Sequence, residues 1–156
     1  MPGKILGIHH ITAISGPAQE NLDFYAGVLG MRLVKRSVNQ DDPGTYHLFY
    51  ADAQGHPGSD LTLFPWPDLP PGRRGAGLTV EVALAIPTGS RDYWTDRLSQ
   101  HGVTPGPLET RFGEWVLPLA DPHGLGLGLA LTDDPREFTP WAESPVPAAH
   151  QIRGLH

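Results

Sequence analysis

Two adjacent histidines, His9 and His10, stand inside an apolar run near the start of the chain, L-G-I-H-H-I-T-A-I. Imidazole binds divalent metals and exchanges protons near neutral pH. Successive side chains of a strand point to opposite faces, so Ile8, His10, Thr12 and Ile14 share one face and His9, Ile11 and Ala13 the other. One histidine then faces a cavity, and the other must find a partner behind or beside it. The ordinary alternative is a pair of strand histidines, each hydrogen-bonded to a nearby polar group.

Other residues are candidates by type. Tyr46 and His47 lie on a strand-like run bounded by turn residues, and one of the two should face the same cavity. His56 sits in Q-G-H-P-G and His123 in D-P-H-G, so both are expected to be exposed turn residues. Glu81 interrupts L-T-V-E-V-A-L-A-I, on the face of Thr79, Ala83 and Ala85, opposite Val80, Val82, Leu84 and Ile86. A carboxylate there is costly unless paired or wet, so a salt bridge or solvated edge is expected, with a metal role as the alternative. Cysteine is absent, which excludes disulfides and thiolate chemistry.

The 156 residues suffice for one domain or two small modules. Net charge is −6 with no basic stripe, which argues against nucleic acid as a partner. No apolar run is long enough to span a bilayer, and M-P-G-K-I-L lacks the apolar stretch of a signal peptide. These features fit a cytoplasmic protein that does not engage a membrane.

The elements that must position the histidines occur twice. Asp23, Phe24, Tyr25 and Leu29 recur as Asp92, Tyr93, Trp94 and Leu98, each pair 69 residues apart. D-A-Q-G, Asp52 to Gly55, recurs at the same spacing as D-P-H-G, Asp121 to Gly124. Ordered matches at one offset mark two copies of a unit. In the first copy, residues 4–14 read as a strand and 17–29 as a helix. Ser15 or Gly16 can cap this helix, Pro17 suits its first turn and Gly30 its end. Leu22, Tyr25, Val28 and Leu29 form its apolar face. Strands follow near 31–39, 46–51 and 60–64, giving a βαβββ order. The second copy predicts a strand at 78–86, a helix at 90–101, and strands near 108–111, 114–119 and 125–131. The expected organisation is a first module over 1–66, a Pro/Gly linker over 67–77, a second module over 78–131, and an extended Pro-rich tail over 132–156.

Two tandem βαβββ units resemble the vicinal oxygen chelate superfamily, which includes glyoxalase I, bleomycin-resistance proteins and extradiol dioxygenases. The first-module wording is more specific. G-I-H-H-I-T-A-I, N-L-D-F-Y-A-G-V-L-G-M-R-L-V-K and D-D-P-G-T-Y-H-L-F-Y-A-D-A-Q-G-H-P-G-S-D-L-T-L-F-P-W look like the N-terminal half of hydroquinone-type ring-cleaving dioxygenases. The resemblance implies an α+β fold in which the two modules form a cup-shaped, partly open mixed β-sheet barrel. It implies an Fe(II)-dependent extradiol dioxygenase, with Mn(II) as another possible metal, acting with O2 on hydroquinone- or catechol-like aromatics. By the same pattern His10 is the metal ligand, His9 the neighbouring acid/base residue, and Thr12 part of the substrate cavity. A site of two histidines and one carboxylate with open positions suits non-haem Fe(II).

Such a site needs about three protein ligands. The runs 61–64 and 125–129, where the pattern would place a carboxylate, contain none, and the 69-residue offset sets Thr79 opposite His10. The missing ligands are expected elsewhere. Those relatives are about twice this length and carry four modules. The final R-G-L-H also echoes G-I-H at residues 7–9, so the chain reads as an N-terminal domain that stops one step into a third module. Its partner is then the C-terminal half of the same enzyme, or a second copy. Two alternatives remain: a non-catalytic binder of flat apolar ligands of the bleomycin-resistance type, and a glyoxalase-like lyase or isomerase made by a dimer using His10 and Glu81.

Overall fold

The computed structural model describes Ile5 and residues 7–156. The chain runs β1 (His10–Ser15), α1 (Ala18–Leu22), β2 (Arg32–Val38), β3 (Tyr46–Ala51), β4 (Asp60–Pro65), β5 (Glu81–Ile86), α2 (Arg91–Gln100), β6 (Glu109–Arg111), β7 (Glu114–Ala120), β8 (Gly126–Leu131) and β9 (Gly154–Leu155). Among the described residues this is a mixed α+β fold of two mixed sheets and no closed barrel. One sheet has the order β1-β4-β3-β2 and the other β6-β7-β8-β5-β9. In each, the first and last strands of a module pair in parallel, β1 with β4 and β5 with β8, while the others meet antiparallel.

The first helix occupies its expected span within a residue at each end, but its second half is wider than an α-helix. α1 gives way at Asp23 to a π-helical turn over Asp23–Val28, and the Leu29 amide donates to the Phe24 carbonyl five residues back, at 2.9 Å. The extra residue per turn lets Phe24, Tyr25 and Leu29 all reach the core. Neither Ser15 nor Gly16 caps the helix. Pro17 holds the cap position and makes no side-chain cap bond. Gly30 ends it with φ +70°, where a Cβ would lie 2.5 Å from Val146 and 2.6 Å from the Ser144 hydroxyl.

One apolar core joins both modules. Tyr25, Leu29, Tyr50, Leu61 and Leu63 of the first meet Leu84, Ile86, Trp94, Leu98, Leu127 and Leu129 of the second. Each such side chain contributes roughly 1.5–3 kcal/mol when fully buried. Tyr25 stacks on Tyr50 at 5.2 Å. Arg97 of α2 crosses between modules, donating to the carbonyls of Val28 at 2.7 Å and Gly27 at 2.8 Å. Core-facing residues alternate with an opposite, open face on β1, which carries His10, Thr12 and Ile14.

The region 67–77 is exposed and forms neither helix nor strand. The tail is not simply extended. At the Asp52–Ala53 turn, the Thr139 amide donates to the Asp52 side chain at Oδ2 and the Thr139 carbonyl accepts from the Ala53 amide, each at 2.9 Å. Trp141 and Val146 are tied by the Gln151 side chain. The chain then adds β9 antiparallel to β5.

The 69-residue spacing holds for the helices and the D-x-x-G turns but not for the first strand of each module, which leads into the helix. The Trp66 amide donates to the Ser15 carbonyl, and the Thr132 amide to the Ile86 carbonyl, each at 2.9 Å at the same corner of the two sheets. Ser15 therefore matches Ile86, and His10 matches Glu81. The pairing of His10 with Thr79 is corrected: Thr79 lies before β5 begins, and two extra residues between strand and helix shift the register.

Candidate metal and substrate site

β1 begins at His10, so His9 lies just before the strand rather than on its alternate face. The His9 carbonyl is held by the Gly58 amide at 2.7 Å. The two imidazoles meet side by side, Nδ1 to Nδ1 at 3.1 Å, with ring centroids 5.3 Å apart and nearly perpendicular. One nitrogen must donate and the other accept. With His10 as donor, its Nε2 keeps a lone pair for a ligand, and both rings are exposed on the open face.

The parallel ladder pairs His10 with Asp60 and Thr12 with Thr62. Ladder partners in adjacent strands lie about 4.8 Å apart with side chains on one face. Asp60 is only 9% exposed, and its Oδ1 has no hydrogen-bond partner. Burial pushes its carboxyl above the ordinary carboxylate range, while positive charge on His10, His9 and Lys35 pulls the other way. Asp60 stands one residue before the run 61–64, where the G-S turn enters β4. A nitrogen from His10 and an oxygen from Asp60 suit a divalent cation. Among the described residues, no group of three His, Cys, Asp or Glu side chains is placed to hold one. The donors fit a metal in kind but make an incomplete set.

His47, not Tyr46, shares this face. β3 pairs with β4 so that Phe49 lies opposite Thr62, placing His47 beside Phe64. Its ring packs between Phe49 at 4.1 Å and Phe64 at 4.2 Å. Burial, followed by the positive charge of His10 and Lys35, lowers its pKa. With Lys35, Phe49 and Phe64 it lines a cleft of about 290 Å³. Tyr46 instead lies under the Arg36 guanidinium.

The equivalent corner of the second sheet is closed by its own charges. Arg111 grips both oxygens of Glu81 and also bonds Glu109 Oε1 through Nε at 2.6 Å. Gly128 makes room for this pair, because a Cβ there would lie 2.9 Å from both Glu81 Oε1 and Val116. Glu81 is thus the salt-bridged residue its surroundings predicted, and its carboxylate is already engaged.

His56 and His123 are not free turn residues. Asp52 Oδ1 accepts the amides of Gln54, Gly55 and His56, and its Oδ2 meets His56 Nδ1 at 2.5 Å. His123 packs over Gly16, with Nε2 3.3 Å from Glu20. Both histidines brace turns, and neither reaches the open face of β1.

This arrangement of modules and open face has known counterparts. Residues 7–129 match the Glyoxalase/Bleomycin resistance protein/Dioxygenase superfamily, and the chain belongs to that family. It is 44% identical over 155 residues to the Bacillus subtilis protein named "Putative ring-cleaving dioxygenase MhqO", covering 99% of this chain and 49% of that protein. It is 34% identical to chlorohydroquinone/hydroquinone 1,2-dioxygenase of Sphingobium indicum, covering 100% of this chain and 50% of that one. A Bacillus subtilis crystal structure superposes with TM-score 0.90 at 43% identity, covering 97% of this chain and 48% of that one. The chain spans about half the length of these relatives. A Mn(II)-bound fosfomycin resistance protein, FosX from Listeria monocytogenes, shares the fold with TM-score 0.62 at 18% identity, over 83% of this chain and 95% of that one.

Proposed function

We propose that this chain forms the N-terminal half of an Fe(II)-dependent extradiol dioxygenase that opens the ring of hydroquinone- or catechol-like aromatics with O2. The observation that carries the reading is the exposed His9–His10 pair, with His10 in ladder register with a buried, unpartnered Asp60. His10 Nε2 is the metal ligand. His9 Nδ1 accepts the His10 Nδ1–H, which keeps that ring in its ligating tautomer; to act as the base, His9 releases this bond and takes the phenolic proton of the incoming substrate on the freed Nδ1. Thr12, two residues along the same face, lines the substrate cavity. Iron bound here would activate O2 beside the aromatic ligand, and another divalent ion such as Mn(II) suits the same donors. The remaining ligands come from the C-terminal half or from a second copy of the chain. Exposed Ile14, on the face of His10, fits a surface completed by such a partner. Among the described residues no helix is long and apolar enough to cross a membrane. A cytoplasmic location belongs to the same proposal.

Purified anaerobically with Fe(II), the protein as its gene encodes it is expected to hold iron stoichiometrically. His10→Ala should lose the iron and keep the wild-type circular dichroism spectrum. A folded wild type that takes up no iron overturns the reading and favours a binder of flat ligands, for which the cleft lined by His47, Phe49 and Phe64 is the natural seat. The lyase reading from a dimer using His10 and Glu81 is weakened by Arg111, which already occupies the Glu81 carboxylate.

A further inference from the structure

Three strands of the first sheet share a hydrogen-bonded chain. Thr62 Oγ1 on β4 donates to Thr12 Oγ1 on β1 at 2.8 Å. On its other side, the same hydroxyl lies 2.9 Å from His47 Nε2 on β3. Thr62 is fully buried, so it has no solvent to turn to.

Proton bookkeeping gives this chain a direction. A hydroxyl has one proton to give and lone pairs to receive. If Thr62 gives its proton to Thr12, it can only accept from His47, which then carries its proton on Nε2; the opposite sense would need the Nδ1–H form of His47. Thr12 receives from Thr62 and keeps its own proton for a partner on the open face, where it stands two residues from His10. The His47 ring is fixed in this pose by its packing against Phe49 and Phe64. Its lowered pKa favours the neutral imidazole, which has one N–H and hence one sense of donation.

We propose that His47 is a positioning residue: acting through Thr62, it makes Thr12 a hydrogen-bond donor to an acceptor-only oxygen, a phenolate, of an aromatic ligand bound beside His10. This rests on the reading of the open face as a metal-dependent aromatic site. Such a donor discriminates by protonation state. It strengthens its bond to a ligand oxygen that has lost its proton, because hydrogen bonds to charged acceptors are roughly twice as strong as neutral ones.

Long-range 1H–15N correlation spectra of protein labelled at histidine nitrogen report the His47 tautomer, with the signal assigned by its loss in His47→Gln. The Nε2–H form is expected, and a spectrum showing the Nδ1–H form overturns the proposal. The ligand half is read with 4-nitrocatechol, titrated by absorbance into the iron-loaded protein. Thr12→Val and Thr62→Val should each weaken binding about tenfold, the worth of one such bond, with iron content unchanged. Thr62→Ser, which keeps the hydroxyl, and His47→Gln, which keeps an N–H near the place of Nε2, should stay near wild type, whereas His47→Phe should not. Equal affinity in wild type and Thr12→Val defeats the proposal while leaving the iron site standing. An iron-free, probe-inert wild type defeats the site reading itself and the ligand half with it.

Discussion

At the scale of single residues, the strand beside β1 holds a group that costs stability. Asp60 is buried with an unpartnered oxygen, and leaving such a group unsatisfied costs about 1–3 kcal/mol. Asp60→Asn removes the charge at nearly constant shape. It should stabilise the protein by about 1 kcal/mol in urea unfolding and weaken iron binding, the exchange expected where a site is kept at the expense of the fold. A destabilised variant with intact iron binding would instead make Asp60 a structural residue. Alternation within a strand sufficed to put His10 and Thr12 on one face. It could not reveal Asp60 or choose between Tyr46 and His47, because strand period says nothing about the register between strands. Nor could it foresee that His9, lying ahead of the strand, would bend round to touch its neighbour.

At the scale of elements, the repeat was legible where spacing is set inside one element or tight turn. Tyr25 and Trp94 are both fully buried, as are Leu29 and Leu98, and Asp52 and Asp121 both accept turn amides through Oδ1. Strand ends slide relative to these anchors, which is why counting alone matched His10 to Thr79 instead of Glu81. The π-helical turn in the first module was equally hidden, since one inserted hydrogen-bond register leaves the apolar spacing almost unchanged. The cross-module contact of Arg97 is an element-scale device: its guanidinium satisfies carbonyls at the end of the first helix that have no partner within the helix. Arg97→Ala should cost about 1–2 kcal/mol, seen as a lowered urea midpoint. Arg97→Lys should recover only part of this, because an ammonium lacks the planar fork that serves two carbonyls.

At the scale of the whole molecule, the tail is strapped to the first module by a titratable knot. Asp52 is held below the ordinary carboxylate range: burial would raise it, but bonds from His56 and from the amides of Thr139, His56 and Gln54 outweigh that. The hydrogen bond to Asp52 lifts His56 above its usual 6.5. The signs bracket a window. A raised histidine contributes stability that is fully present below its unfolded pKa and lost as pH rises through the folded one. A depressed aspartate contributes above its unfolded 3.8 and loses this as pH falls through its lower folded value. Thermal unfolding temperature should therefore fall as pH is raised from about 6 to 9, across the histidine range. His56→Gln should flatten that slope, and an unchanged slope would remove His56 from the knot. None of this was legible in a Pro-rich tail, whose contacts depend on where the chain returns.

The Arg111–Glu81 pair has a consequence for how the two copies bear mutation. Duplication created two equivalent addresses beside the first strand of each unit. In the second copy the address is answered from within, so a change at Glu81 is registered by Arg111 and judged by selection as a question of folding. In the first copy His10 is answered by nothing on its own sheet except a neighbour that is itself unsatisfied. On the proposed metal-site reading, a change there leaves the fold intact and is exposed by what the protein fails to bind. The two halves of the repeat, on that reading, bear mutation differently: loss of Glu81 is a loss of folding stability, and loss of His10 a loss of ligand.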